Sequence, residues 1–161
     1  VQHMPATFTS SLANRLNQQC TSTVQEAQNG EFVLKNHVYI APGGQHMVLR
    51  RQEAQSVMIE TNQQPPENGC RPSVDVLFRS AVSVYGGDVV GVILTGMGTD
   101  GVGGIRALKP AGAYILAQDE ASSIVWGMPG SAIASGYVDA VHALENIPNA
   151  IIQIIRKSKI N

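Results

Sequence analysis

The chain has 161 residues, 43% of them apolar, and is long enough for one domain with a single hydrophobic core. Its 11 basic and 12 acidic side chains leave a net charge of −1, which gives no general attraction for nucleic acid or for an anionic membrane. No apolar run reaches the length of about 18 residues that a membrane span needs. We therefore predict a cytoplasmic protein without membrane insertion, forming a single domain over residues 1–161.

The first residues predict the end of a strand followed by a helix. Val1–Pro5 is typical of a strand tail that runs into a turn, which places His3 at a strand-to-helix corner. Phe8, Leu12 and Leu16 follow at intervals of four residues, which predicts an amphipathic helix with one apolar stripe.

The middle of the chain predicts short extended segments followed by a helix. The extended segments cover residues 21–27, 37–41, 46–50 and 56–61. The turn at 42–44 and the polar stretch 51–55 join the last three of them, which predicts an antiparallel hairpin. Apolar residues at helical spacing from Val74 to Tyr85 then predict a helix that begins after Pro72 and ends at Gly86.

Residues 89–101 predict a buried strand that runs into a glycine-rich turn at the start of a helix. Six apolar residues in a row, with one glycine among them, are typical of a parallel strand covered on both faces. Open α/β sheets bind ligands at the carboxyl ends of such strands. Asp100, the single carboxylate of this turn, is therefore a candidate site residue.

The last third of the chain alternates helices and strands, as expected for an α/β protein. We predict a short helix ending at Lys109, a strand over 113–117, a turn-rich stretch through Pro129, another short helix and a strand over 138–141. The closing helix has an apolar stripe of Ile147, Ile151, Ile154 and Ile155, and basic residues at its C-terminal end: Arg156, Lys157 and Lys159.

The glycine-rich turn has three competing interpretations. Gly96, Gly98 and Gly101 match the G-x-G-x-x-G dinucleotide-binding fingerprint, and Asp119 and Glu120 follow at about the spacing of the ribose-binding acid. The Asp100 carboxylate argues against this, because it would face the pyrophosphate at short range. Asp100 is alternatively a simple helix cap. A third interpretation is catalytic.

The catalytic interpretation pairs Asp100 with His3. Both lie at predicted strand-to-helix corners, and such corners share a rim when their strands belong to one parallel sheet. A carboxylate that orients an imidazole, which in turn removes a proton from a hydroxyl, is the arrangement of a hydrolytic triad.

Six sequence blocks occur together and in order, and they are more specific than any single glycine motif. The blocks are QHMP at 2–5, YIAPG at 39–43, RPSVDVLF at 71–78, LTGMGTDG at 94–101, AQDEAS at 117–122 and GMP at 127–129. With them the chain resembles the catalytic domain of the chemotaxis protein-glutamate methylesterases, over nearly its whole length.

The resemblance implies a doubly wound, mainly parallel α/β fold of the Rossmann-like three-layer type, with an antiparallel hairpin. It implies a Ser-His-Asp triad that hydrolyses glutamate γ-methyl esters on chemoreceptors, and in many members also deamidates receptor glutamines. By this resemblance His3 is the triad histidine, Asp100 the triad aspartate, and the backbone N–H of Met97 an oxyanion-hole donor. No metal or organic cofactor is required.

The triad serine is where the chain departs from the family. In the family it lies in a Gly-x-Ser-x-Gly-Gly turn upstream of the histidine, and no such block occurs in these 161 residues. We therefore predict an N-terminally truncated domain that lacks a strand–turn–helix unit of about 30–40 residues. Such a chain alone is expected to be nearly inactive, since removing a triad nucleophile costs on the order of a millionfold in turnover.

The implied partner is the cytoplasmic helical region of a methyl-accepting chemotaxis receptor. Family members commonly carry an N-terminal receiver domain, which is not found among these residues. A catalytically inactive receptor-binding module and a dinucleotide-binding domain using Gly96–Gly101 remain the alternatives. Arg71 either binds a substrate carboxylate or anchors its loop. Cys20 and Cys70 lack metal-ligand spacing, so we expect free thiols.

Overall fold

The computed structural model describes residues 1–53 and 56–158, and the chain divides into two compact units. We call residues 1–84 the N-terminal unit and the residues from Tyr85 onward the C-terminal unit. The helices are α1 (Ala6–Asn17), α2 (Val74–Tyr85), α3 (Val102–Leu108), α4 (Gly127–Ala134) and α5 (Ile147–Ser158). The strands are β1 (Thr23–Glu26), β2 (His37–Ile40), β3 (His46–Arg51), β4 (Val57–Asn62), β5 (Val90–Ile93), β6 (Tyr114–Gln118) and β7 (Ala140–His142).

The N-terminal unit contains two small sheets. β1 and β2 pair in parallel, and β3 and β4 form the predicted antiparallel hairpin with His46 opposite Asn62. The polar stretch predicted to join the hairpin includes positions 54 and 55, which lie outside the described residues. Ala27, Ala41, Met47 and Ile59 form a buried cluster of this unit. Met47 and Ile59 belong to β3 and β4, and Ala27 and Ala41 directly follow β1 and β2.

The buried face of α1 differs from the predicted stripe. Phe8 is 56% exposed, whereas Thr9 and Ala13 are buried. The Thr9 hydroxyl accepts a hydrogen bond from the N–H of Gly43 (3.0 Å). Gly43 lies so close to the start of α1 that a Cβ there would be 2.4 Å from the backbone nitrogen of Ala6. Small residues therefore face this contact, and the prediction that Phe8 belongs to the buried face is wrong.

The C-terminal unit is built on a parallel sheet with the order β5-β6-β7. The central strand β6 buries Ile115, Leu116 and Ala117 completely. The parallel pairing here and in the N-terminal unit, together with the hairpin, confirms the predicted α/β fold. That one domain spans residues 1–161 stays a prediction.

The start of α4 and the buried face of α5 differ from the sequence prediction. α4 begins at Gly127, so Pro129 lies inside its first turn, where a missing N–H costs no helical hydrogen bond. α5 is as predicted, but Ile155 is 45% exposed, and Lys159 lies outside the described residues. None of the helices in the described ranges is long and apolar enough to cross a membrane.

Candidate active site

Asp100 lies in the turn between β5 and α3 and is only 2% exposed. Two glycines of this turn, Gly98 (φ +93°) and Gly101 (φ +103°), have left-handed backbone conformations that other residues rarely adopt. Gly101 occupies the N-cap position of α3, and no side chain donates or accepts a capping hydrogen bond there. Gly101 thus stands at the N-cap position in place of Asp100, the capping interpretation of Asp100 stays a prediction, and the glycines are explained by the shape of the turn.

The turn is fixed to the segment that leads into α4. The Thr95 hydroxyl donates to the carbonyl of Val125 (3.1 Å) and accepts from its N–H (2.8 Å). The N–H of Gly96 also donates to the Val125 carbonyl (3.1 Å), and the N–H of Met128 donates to the Gly96 carbonyl (2.7 Å). These four hydrogen bonds hold the two segments side by side.

Gln118, at the end of β6, connects the same turn to a third segment. Its side chain is fully buried; the amide oxygen accepts from the N–H of Thr95 (2.8 Å), and the amide nitrogen donates to the carbonyl of Ser122 (2.7 Å). A buried amide whose oxygen and nitrogen are both hydrogen-bonded holds a unique arrangement. The sequence analysis missed this role; the available signal was a polar residue directly after an apolar strand.

Ser122 and Asp119 are bonded to each other in the loop after β6. The Asp119 carboxylate accepts hydrogen bonds from the N–H (2.9 Å) and hydroxyl (2.6 Å) of Ser122, which lower the pKa of Asp119 below its ordinary value. The Ser122 hydroxyl also accepts from the N–H of Leu144 (3.0 Å). The proton of the Ser122 hydroxyl is thus donated to Asp119. The Asp119 carboxylate, which the dinucleotide-binding interpretation assigns to a ribose, is therefore already hydrogen-bonded within its own loop. Neither residue supports the dinucleotide-binding alternative.

Met97 stands at the tip of the turn, with its side chain 82% exposed. Among the residues that the structure describes, the backbone N–H groups of Met97, Gly98 and Thr99 make no hydrogen bonds to one another or to other groups. Consecutive free N–H groups in a turn with a left-handed glycine form a concave site for negative charge. The assignment of the Met97 N–H as an oxyanion donor stays a prediction.

Gly127 lies against the back of this turn. A Cβ at Gly127 would lie 2.9 Å from the carbonyl oxygen of Gly96, 2.9 Å from the nitrogen of Gly98 and 3.2 Å from the Cα of Met97. All three contacts are with backbone, which cannot move aside as a flexible side chain can. The position therefore requires glycine if the turn is to keep its shape.

We expect Gly127→Ala to displace the turn and to lower kcat about a hundredfold in the catalytically complete protein, since misplacing reacting groups by about 1 Å has effects of that size. The measurement is the rate of methyl-ester hydrolysis together with the thermal unfolding temperature. Ala134→Ser, which also adds one heavy atom to α4 but at an exposed position, is the control. An unchanged rate for Gly127→Ala would show that the shape of the turn is not needed.

His3 lies in the N-terminal unit, in the irregular segment before α1. Residues 1–5 form no strand, so the predicted strand tail is wrong, but the predicted helix begins at Ala6 with Pro5 as its N-cap. His3 is exposed. The structure thus places Asp100 and Met97 in one turn and His3 in the other unit.

Arg71 anchors its loop. Its guanidinium donates to the carbonyls of Gln63 (3.0 Å) and Gln64 (3.1 Å), and its own carbonyl accepts from the N–H of Gly44 (3.2 Å). These contacts agree with the prediction that Arg71 anchors its loop. That Arg71 binds a substrate carboxylate stays a prediction. Neither Cys20 nor Cys70 forms a disulfide, as expected.

Known proteins resemble the chain in sequence and in structure. It is 53% identical over 154 residues to the protein-glutamate methylesterase/protein-glutamine glutaminase of Methylobacillus flagellatus, and 47% identical over 155 residues to that of Trichodesmium erythraeum. The alignments cover 96% of this chain but only 43% and 44% of those proteins. The chain therefore spans less than half the length of these curated relatives.

A crystal structure of the Thermotoga maritima CheB methylesterase catalytic domain superimposes with a TM-score of 0.92 at 40% sequence identity, covering 95% of this chain and 80% of that one. The family model described as CheB methylesterase matches residues 1–151. These matches confirm the resemblance found in the sequence blocks, and the chain belongs to the CheB methylesterase family.

Proposed function

We propose that this chain is the His-Asp part of a protein-glutamate methylesterase, which hydrolyses glutamate γ-methyl esters on chemoreceptors and also deamidates receptor glutamines. The observation that carries the proposal is the buried carboxylate Asp100, which stands in the same turn as a Met97 backbone N–H that makes no hydrogen bond among the described residues. The relatives named above are methylesterases and glutaminases, which supports the reaction class.

In the proposed mechanism a serine outside these 161 residues attacks the ester carbonyl. His3 removes the serine proton, and Asp100 holds His3 in the correct tautomer. The N–H of Met97 stabilises the oxyanion, an interaction whose loss typically costs about 3 kcal/mol of transition-state stabilisation. Methanol then leaves, and water activated by His3 hydrolyses the acyl-enzyme to regenerate serine and glutamate.

The partner in this proposal is the cytoplasmic helical region of a methyl-accepting receptor. A receiver domain preceding the catalytic part, and a cytoplasmic location, are further expectations from the family. No metal or organic cofactor takes part in the proposed steps.

The test is methanol release from a methylated receptor fragment by the full-length protein that contains this chain. We expect methanol and free glutamate in equal amounts, and ammonia when the fragment carries the corresponding glutamine. Binding of the fragment without release of either product would favour the inactive receptor-binding module instead.

A further inference from the structure

Four large apolar side chains are exposed in or beside the Asp100 turn, and one of them, Leu94 (42% exposed), directly follows β5. Met97 is 82% exposed, Ile124 92% and Val125 43%, and we call these three residues the rim patch. The rim patch lies entirely in the C-terminal unit. Met97 comes from the turn after β5, and the other two come from the segment before α4, which the four hydrogen bonds described above hold beside that turn.

The rim patch is presented on fixed backbone. The buried amide of Gln118 and the close approach at Gly127 determine where the two segments lie. Exposed apolar side chains that are grouped together and held in place are typical of surfaces that bind another molecule. Covering exposed apolar side chains with another apolar surface lowers the free energy, because that surface leaves water. The rim patch therefore favours an apolar partner surface.

The two chain segments that carry the rim patch contain acidic residues and no basic ones. Segments 94–101 and 119–127 contain Asp100, Asp119 and Glu120 but neither lysine nor arginine. Glu120 is exposed, and the hydrogen bonds from Ser122 lower the pKa of Asp119. Asp100 is buried, so the acidic surface here comes from Glu120 and Asp119. This edge therefore attracts a partner that carries basic residues and repels a free carboxylate, while a neutral glutamyl ester or amide is not repelled.

We propose that the rim patch docks an amphipathic receptor helix whose apolar residues lie one turn from the modified glutamate and are flanked by lysine or arginine. This inference rests on the proposed function and names how that site recognises its substrate. A glutamyl side chain is short, so a helix that delivers its ester to the turn brings residues three or four positions away against the surrounding surface. The rim patch supplies apolar surface there, and Glu120, four residues before Ile124 in the same segment, supplies negative charge for the basic flank.

The test measures binding and hydrolysis separately in the full-length protein. The probe is a synthetic amphipathic helical peptide with one glutamate γ-methyl ester, apolar residues three and four positions away, and flanking lysines. The second substrate is N-acetyl-glutamate γ-methyl ester amide, which is too small to cover the rim patch. Calorimetry gives Kd for a peptide in which an uncleavable norleucine replaces the ester residue.

Ile124→Ser is expected to weaken peptide binding and to raise the KM of the helical ester about tenfold. Its kcat/KM for the small ester should stay within about twofold, since that ester is too small to cover the rim patch. Glu120→Lys should weaken binding of the lysine-flanked peptide and remove most of its salt dependence. Ile152→Ser is the control, because it changes another exposed isoleucine, on α5 (47% exposed). It should change neither Kd for the peptide nor KM for the helical ester.

The two proposals fail in different ways. Without methanol release from either ester the proposed function fails, whereas the calorimetric Kd still tests docking. An Ile124→Ser protein that binds the peptide as tightly as the unmodified protein would overturn the docking proposal, as would an unmodified protein that does not bind the peptide at all. If Ile124→Ser instead turned a dimer into a monomer in sedimentation experiments, the rim patch would join two copies of the chain and the proposal would be wrong.

Discussion

Replacing His3 by alanine is expected to lower kcat for methyl-ester hydrolysis about a millionfold, as loss of the histidine does in a comparable triad. Without the imidazole, no group accepts the serine proton during attack or returns a proton to the departing methoxide. His3 is exposed and lies outside any helix or strand, so its removal should leave the fold intact.

The measurement is single-turnover hydrolysis of the small glutamyl ester, which avoids any effect on receptor docking. His37→Ala is the matched control, because His37 belongs to the same unit and its ring stacks on Tyr39 (6.0 Å between ring centres). We expect the control to keep its activity. Equal rates for the two variants would remove His3 from the proposed mechanism.

The second large effect is expected for Asp100→Asn, with kcat lowered about ten-thousandfold. Asparagine has almost the same shape, but its amide group can donate a hydrogen bond where the carboxylate only accepts. It would therefore favour the wrong tautomer of the triad histidine and would no longer stabilise the imidazolium. The effect should appear in kcat more than in KM, because ester binding does not require the charge.

Asp119→Asn tests whether any carboxylate near the turn would give the same result. Its amide oxygen can still accept from Ser122, so we expect the control to hydrolyse the small ester at nearly the normal rate. Circular dichroism and thermal unfolding of both variants separate lost chemistry from lost structure. A folded Asp100→Asn protein with the rate of the control would contradict the assignment of Asp100.

Periodicity and turn chemistry were sufficient to predict much of the fold. The apolar run at 89–94 gave β5, and the helical spacing from Val74 to Tyr85 gave α2 with its correct bounds. Both signals are local, since they depend on which neighbouring side chains share a face. The turn with Gly98 and Gly101 was equally predictable, because few residues other than glycine adopt its backbone angles.

Long-range contacts were not predictable in this way. Thr9 is buried, and its hydroxyl accepts a hydrogen bond from the N–H of Gly43, 34 residues away. Nothing in the helical pattern of α1 indicates that contact. Gln118 likewise joins segments that are 23 residues apart in sequence. The apolar stripe containing Phe8 was a reasonable inference from spacing, but the close approach of a glycine backbone selected a different face.

The way in which Gln118 and Thr95 hold the two segments has an evolutionary consequence. The bonds to Val125 that fix the turn engage its backbone atoms, and none of them involves the side chain of Met97 or Ile124. If the rim patch docks the receptor helix as proposed, substitutions at these two positions change receptor recognition without changing the backbone of the Asp100 turn. Under that proposal, paralogues in one cell diverge in receptor preference by single substitutions while the backbone that positions Asp100 stays the same.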